Sequence, residues 1–147
     1  MNNIRPATTA DLVRIAEIEI FNYRLNFYPI FKDDLFYFSY LTVPALIEKY
    51  NKCIDKFYVY DDGAVKGFVK IKNREIKKLF VEPVLQNSSI GGRLLQFALE
   101  KGTDNLWTLE KNAGAIRFYK RYGFHPTDSK KLEEGTTEYL VHLKLLK

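Results

Sequence analysis

The sequence predicts a mixed α/β fold: a central, mostly antiparallel sheet with one parallel strand pair, flanked by about four helices. Three observations predict it. Strand-like runs at 57–60 and 64–72 flank Asp61-Asp62-Gly63, and Asp-Gly between such runs signals an antiparallel hairpin. Further strand-like runs at 75–81 and 106–109 are separated by a helical stretch at 90–101, in which Leu94, Leu95, Ala98 and Leu99 share a face; a helical crossover implies a parallel pair. The chain has 147 residues, which suits one domain over 1–147. At that size roughly 70% of the unfolded surface is buried on folding, so the core needs no staple.

The elements follow in order. Ile4 and Arg5 open a short strand that Pro6 ends. Thr8 and Asp11 form a capping box with a shorter acid in the usual Glu place. Leu12, Ile15 and Ile18 then recur on one face of an amphipathic helix. The segment 21–40 is rich in Tyr and Phe. It reads either as a helix and loop packed on the core or as the wall of a substrate pocket, with Pro29 breaking any continuing helix. Thr42 caps a second helix whose first turn tolerates Pro44. After the three strands and the helix already named comes the strand 106–109. A short helix follows at 113–122, ended by Gly123, and closing strands lie near 124–127 and 137–145. The order is β-α-α-β-β-β-α-β-α-β-β.

Composition narrows the function. Hydrophobic residues make up 46% and charged residues 28%, a globular balance that excludes a disordered chain. The formal net charge of +5 suits a slightly basic soluble surface, or a nucleic acid, acidic membrane or phosphate-rich small ligand as partner. Cys53 is the single cysteine, so no internal disulfide forms; it reads as a small buried thiol in a reducing compartment. Two histidines and one cysteine, far apart in sequence, predict no metal site. No helix-turn-helix, zinc spacing or RNA-recognition aromatic signature is present, which argues against nucleic acid. The first six residues hold no apolar leader, and no run approaches the roughly 18 apolar residues of a membrane span. A cytoplasmic protein, monomeric or homodimeric, is expected.

The segment from Leu79-Phe80-Val81 through Gln86-Asn87-Ser88-Ser89-Ile90-Gly91-Gly92 carries the first functional signal. A strand ends, a small polar loop follows and a helix begins. The first turn of a helix offers unpaired N–H groups and a partial positive charge, a ready phosphate site. Gly91 and Gly92 remove a Cβ where contact with a ligand would be tightest. By itself this loop is equally a β-loop-α turn with no ligand.

Gln86-x-x-Ser89-x-Gly91 resembles the pyrophosphate loop of the GNAT superfamily of N-acetyltransferases, whose pattern is Gln/Arg-x-x-Gly-x-Gly/Ala. Asn112-x-x-Ala115-x-x-Phe118-Tyr119, followed by Gly123-Phe124, resembles a second motif of that family. The two stand in the right order with a strand between, and the element order of the whole chain is that of a GNAT-like fold. One departure is Ser89 in place of glycine. If position 89 needs a positive φ, Ser is strained there. If it needs only a small side chain, Ser fits and adds a hydroxyl donor.

The resemblance implies an acetyl-CoA-dependent N-acetyltransferase in which the amine attacks directly, without an acyl-enzyme. It implies coenzyme A contacts from Leu79, Phe80 and Val81, from Gln86, Asn87, Ser88, Ser89, Ile90, Gly91 and Gly92, and from Asn112, Ala115 and Tyr119. A backbone N–H of 79–81 is the implied oxyanion donor. Tyr119, four residues after Ala115 and so on its helix face, is the implied acid for the leaving thiolate. A primary amine of pKa about 10.4 is neutral in only about one molecule in 2,500 at pH 7, so a base or water relay is expected. Some family members place a glutamate five residues before the Asn; here that place is Trp107. Glu75 and Glu110 remain as candidate bases, and each reads equally as a solvated carboxylate. His125 and His142 suit the pKa without sequence support. The basic cluster Lys66, Lys70, Lys72, Arg74, Lys77 and Lys78, around the single acid Glu75, reads mostly as solvated strand-edge charge, with an acidic acceptor as the alternative for some of its members. Two rival readings stand: a non-catalytic acyl-CoA sensor, and a basic nucleic-acid binder. The acceptor is an amine of a small molecule or protein that the sequence does not specify.

Overall fold

Pairing along the chain joins every strand into one seven-stranded sheet, ordered β1-β2-β3-β4-β5-β7-β6. The computed structural model describes residues 3–86 and 88–146. The strands are β1 (Ile4–Pro6), β2 (Phe57–Asp61), β3 (Val65–Lys72), β4 (Glu75–Val81), β5 (Asn105–Leu109), β6 (Phe124–Leu132) and β7 (Tyr139–Leu145). The helices are α1 (Leu12–Asn22), α2 (Tyr28–Phe31), α3 (Val43–Asn51), α4 (Ile90–Glu100) and α5 (Ala113–Arg121). All strand pairs are antiparallel except β4 with β5, as the crossover through α4 required.

Strand alternation divides the core between the two faces of the sheet. Phe57, Val59 and Phe68 join Leu12, Ile15, Ile18, Leu46 and Tyr50 on the α1–α3 face. Their neighbours Tyr60 and Val69 join Leu94, Leu95, Ala98, Leu106 and Phe124 on the α4–α5 face. Gly67 makes the second packing possible. A Cβ there would lie 3.0 Å from both Leu94 Cδ1 and the Phe80 carbonyl oxygen, so glycine lets α4 pack closely on β3.

Local signals explain most of the ends. The Thr8 N–H donates to Asp11 Oδ2 at 2.7 Å, and Arg5 grips both oxygens of that buried carboxylate at 2.8 and 3.0 Å. The hairpin turn has Gly63 at φ 118, its N–H donating to Asp61 Oδ1 at 2.9 Å. The Thr42 hydroxyl accepts from the Ala45 N–H at 3.3 Å.

Two expectations change. Pro29 does not break a helix; it sits in the first turn of α2, where its missing N–H costs nothing, and the chain bends afterwards at Lys32 with φ 54. On either side of α2 the aromatic segment winds into widened, π-type turns at Tyr23–Phe27 and Phe36–Tyr40. The strand expected to stop near 127 continues as β6 to Leu132 through a register shift between Pro126 and Lys130. Its run of Asp128, Ser129, Lys130 and Lys131 shows no alternation because an edge strand exposed on both faces needs none.

Candidate active site

The site follows from one feature of the sheet. The parallel pairing of β4 with β5 is confined to Glu75 with Asn105 and Ile76 with Leu106. An extra residue, Lys77, is inserted in β4 against β3, where the register shifts from Lys70–Lys78 to Ile71–Ile76. Among the described residues, no part of β4 beyond Ile76 pairs with β5. The two strands splay, and the edge of β4 from Lys77 to Val81 is left without a ladder partner on that side. Backbone groups in such a place require a partner from elsewhere.

A cavity of about 830 Å³ fills this opening. Leu79 and Phe80 of β4, Trp107 of β5 and Asn112, Ala115 and Tyr119 of α5 line one part of it. Asn112 is the N-cap of α5, its Oδ1 accepting from the Ala115 N–H at 3.2 Å. Ala115 and Tyr119 lie one turn apart on the helix face turned to the cavity. Tyr119 is only 8% exposed. Its hydroxyl makes no hydrogen bond to any described residue, and burial alone pushes its pKa above the usual tyrosine value.

The loop lies at the far end of β4. Ser89 is the N-cap of α4 and takes the left-handed conformation, φ 73 and ψ −7, with no side-chain cap. The strained alternative is therefore the one realised. The first-turn N–H groups of α4 receive nothing from the Ser89 side chain. Gln86 is engaged: its Nε2 donates to Asn22 Oδ1 at 3.1 Å, while Asn22 Nδ2 donates to the Val81 carbonyl at 2.9 Å. Asn22 thus pins the loop to the end of β4 and to α1. Ser88 donates to the Leu85 carbonyl, and Asn87 lies outside the described residues. A Cβ on Gly92 would overlap the Tyr122 hydroxyl, and one on Gly91 would lie 3.5 Å from the Phe118 ring. The missing Cβ of Gly92 lets the Tyr122 ring lie against α4, while at Gly91 a Cβ would make an ordinary contact. Ile90 is buried beneath the helix start.

The candidate bases separate. Glu75 lines the cavity at its closed end and pairs with Lys77 at 3.3 Å. Glu110 is exposed, pairs with Lys130 and does not line the cavity. His142 stacks on Trp107 with its Nε2 3.1 Å from Asn105 Oδ1. Trp107 faces the cavity, and the Lys131 ammonium lies 4.3 Å from its ring centroid.

The other part of the cavity is lined from the aromatic segment, by Tyr23, Phe27, Phe31, Phe36, Tyr37 and Tyr40, several of which also pack on the core. Sequence reasoning missed its polar residues. Glu19 is 1% exposed. It accepts from the Tyr50 hydroxyl at 2.8 and 2.9 Å and from Lys78 Nζ at 3.2 Å. Lys78 also donates to the Tyr23 hydroxyl at 2.6 Å, so it is not the solvated edge lysine expected. Burial, then the charge of Glu19, raises the Tyr23 and Tyr50 hydroxyls well above their usual pKa. A signal for Glu19 was present. Positions 12, 15, 19 and 22 form one helical stripe, and two of its four members are polar.

Comparison with known proteins agrees with this architecture. Residues 54–126 match the family model of the acetyltransferase (GNAT) domain. The chain is 31% identical over 88 residues to the peptidyl-lysine N-acetyltransferase YiaC of Escherichia coli, covering 58% of this chain and 60% of that protein. It therefore spans less than two thirds of that curated relative's length. The PaiA N-acetyltransferase of Thermoplasma acidophilum, solved in complex with coenzyme A, superimposes with a TM-score of 0.68 at 21% identity, over 96% of this chain and 97% of that one. YncA of Salmonella typhimurium, solved with its cofactor acetyl-CoA, gives 0.65 at 20% identity over 97% and 91%. With both motifs present, the splayed β4–β5 sheet formed and the domain model matched, the chain belongs to the GNAT superfamily of acetyltransferases.

Proposed function

We propose that this protein transfers the acetyl group of acetyl-CoA to an amine by direct attack. The observation that carries the reading is the splay itself: the unpaired edge of β4 and the Asn112–Ala115–Tyr119 face of α5 border one cavity. These residues fit a coenzyme A thioester. The first turn of α4 offers N–H groups to phosphate. The bare β4 edge offers backbone donors and acceptors to the amides of the pantetheine arm. Ala115, with a single methyl, leaves room beside it. When bound, the thioester supplies an activated acetyl group and a thiolate leaving group.

The protein's share of the chemistry is positional and electrostatic. A backbone N–H of β4 near Leu79 meets the carbonyl oxygen as charge grows on it. Tyr119 stays protonated at neutral pH and donates to the departing sulfur. Glu75 is the cavity-lining member of the two proposed bases and reaches the amine directly or through water. Among the described residues no helix is long and apolar enough to cross a membrane, and no cluster of metal-ligating side chains occurs. A lone cysteine without a disulfide suits a reducing compartment such as the cytoplasm.

A thermal shift with acetyl-CoA, then thiol release over an amine panel, tests the proposal. Stabilisation by saturating acetyl-CoA and release that depends on an amine are expected. No stabilisation removes the cofactor assignment; stabilisation without release for any amine leaves a binding module.

A further inference from the structure

The charges lining the cavity are unequally satisfied. Of its lysines, Lys77 is paired with Glu75 and Lys78 with Glu19, while Lys131 lies over the Trp107 ring and Lys49 beside the Tyr50 ring. Of its acids, Glu133 of the β6–β7 loop, its neighbour Glu134, and Asp33 have no ion pair among the described residues. Asp33 Oδ1 is partly used, accepting from the Phe36 N–H at 3.1 Å. Glu133 is half-buried and makes no side-chain hydrogen bond to any described residue.

A second, independent feature lies opposite. Tyr37 is 4% exposed and lines the cavity, yet its hydroxyl has no hydrogen-bond partner among the described residues. Among the described residues no fully buried side-chain oxygen lacks a partner, so this hydroxyl opens onto the cavity itself. Here it is left open to whatever occupies the cavity.

Packing separates this pole from the reacting one: Tyr37, with Tyr23, Phe27 and Phe31, belongs to the α1–α3 core, Tyr119 belongs to the α4–α5 core, and both groups line the cavity. Burial raises Tyr37 to about 12, with added contributions from Tyr23, Asp33 and Glu133.

We propose that the acceptor is a linear diamine: one nitrogen is acetylated beside Tyr119, and the other, as an ammonium, is held by the Glu133 carboxylate and the Tyr37 hydroxyl across the cavity. This rests on the acetyl-transfer reading above. The rings of Tyr23, Phe27 and Phe31 suit the methylene chain between the nitrogens and favour a cation over an anion at their faces. A distal carboxylate would face Glu133 and Glu134 and be repelled.

The test compares three amines alike at the reacting end: 1,5-diaminopentane, pentylamine and 5-aminopentanoate. We expect kcat/KM at least tenfold higher for the diamine than for pentylamine, with 5-aminopentanoate lowest. Glu133→Gln brings the diamine-to-pentylamine ratio close to one and keeps the acetyl-CoA thermal shift; Tyr37→Phe lowers the ratio less. Equal use of diamine and pentylamine, or a ratio unchanged in Glu133→Gln, overturns the proposal. So does a lysine peptide acetylated more efficiently than the diamine with no dependence on Glu133. Calorimetric titration of the same amines into the protein with coenzyme A present separates the two possible failures. Diamine binding lost in Glu133→Gln, without turnover, keeps the pocket assignment and removes acetyl transfer. Equal weak binding of all three removes the pocket assignment whatever the turnover.

Discussion

Replacing Tyr119 by Phe deletes one oxygen and isolates its chemical role from its packing. The ring is 8% exposed and packs edge-on against Phe118 and Phe124 at centroid distances of 5.1 and 5.8 Å. Phe preserves those contacts. The hydroxyl makes no hydrogen bond to a described residue, so no buried partner is orphaned. The stability change is accordingly small, within about 0.5 kcal/mol or slightly stabilising, which is roughly 2 °C or less in Tm for a chain of this size. Catalysis fares differently. A positioned acid contributes about 10²–10⁴-fold where the leaving group is poor. A thiolate of pKa about 8.5 leaves readily, and a phenol raised above 10 meets it with a hydrogen bond rather than full proton transfer. The expected loss is at the low end: about 10- to 100-fold in kcat, or roughly 1.4–2.7 kcal/mol of barrier, with little change in the acetyl-CoA KM. Steady-state thiol release and a melting curve measure both quantities on one preparation. A kcat within threefold of wild type would refute the acid role and leave Tyr119 a packing residue. A Tm lowered by more than about 3 °C would show that the hydroxyl had an internal partner after all.

Three further outcomes follow from the structure. Ser89→Gly relieves a left-handed residue worth about 1 kcal/mol, offset by about 0.4–1 kcal/mol of extra unfolded-chain entropy. Tm stays level or rises by a few degrees, and acetyl-CoA binds as tightly or tighter; weaker binding in a titration would mean that the Ser hydroxyl holds phosphate. Asn112→Ala removes the α5 cap and costs about 1 kcal/mol, a fall of roughly 3 °C; an unchanged Tm contradicts the capping role. The Arg5 guanidinium, with help from the Thr8 N–H, holds Asp11 below the usual carboxylate range. A lowered folded pKa contributes stability above the unfolded value of about 3.9. That contribution is lost as pH falls below this value and through the lower folded one. Asp11→Asn should flatten the acid limb of a stability-against-pH curve below about pH 4, and an unaltered limb would place the acid sensitivity elsewhere.

The proposed phosphate loop could be picked out as a candidate because its pattern is local. A strand end, small residues and a helix start are written in consecutive positions, as is the Asn112–Tyr119 turn of α5. What could not be read there is the direction in which the missing side chains would point. Gly91 and Gly92 face Phe118 and Tyr122, which no reading of one helix could show, because the rings arrive from an element about thirty residues away. The acceptor half was illegible for a different reason. Glu19 comes from α1, Tyr37 from a π-type turn, Lys78 from the bulged end of β4 and Glu133 from the loop between the last two strands. Their juxtaposition depends on the splay of β4 from β5, and that splay rests on one inserted residue, Lys77, whose effect on register leaves no mark on hydrophobic periodicity. Lys78 shows the consequence. In a regular ladder its neighbours suggest a solvated edge lysine; beside the bulge it points at a buried carboxylate 3.2 Å away.

Several departures from local rules border one cavity, and Ser89, at the start of α4 beyond its lining, holds a backbone conformation better suited to glycine. Tyr119 and Tyr37 keep hydroxyls without protein partners at 8% and 4% exposure. The edge of β4 forgoes its ladder beyond Ile76. The open hydroxyls and the bare β4 edge are the groups that a thioester and an ammonium would engage at the places proposed. Elsewhere the Asp11 box, the Gly63 turn and the Gly67 contact are satisfied within the chain, while Asn3, Lys32 and Asn73 also hold left-handed conformations. The same reasoning makes Tyr37→Phe a sharp control. Like Tyr119→Phe, it removes an oxygen without orphaning a partner, so it should leave Tm level within about 2 °C. Unlike Tyr119→Phe, it should act on discrimination between amines rather than on the rate with the best of them. If both substitutions lowered kcat equally for every amine, the two hydroxyls would belong to one pole of the cavity, and the division into a reacting end and a holding end would be wrong.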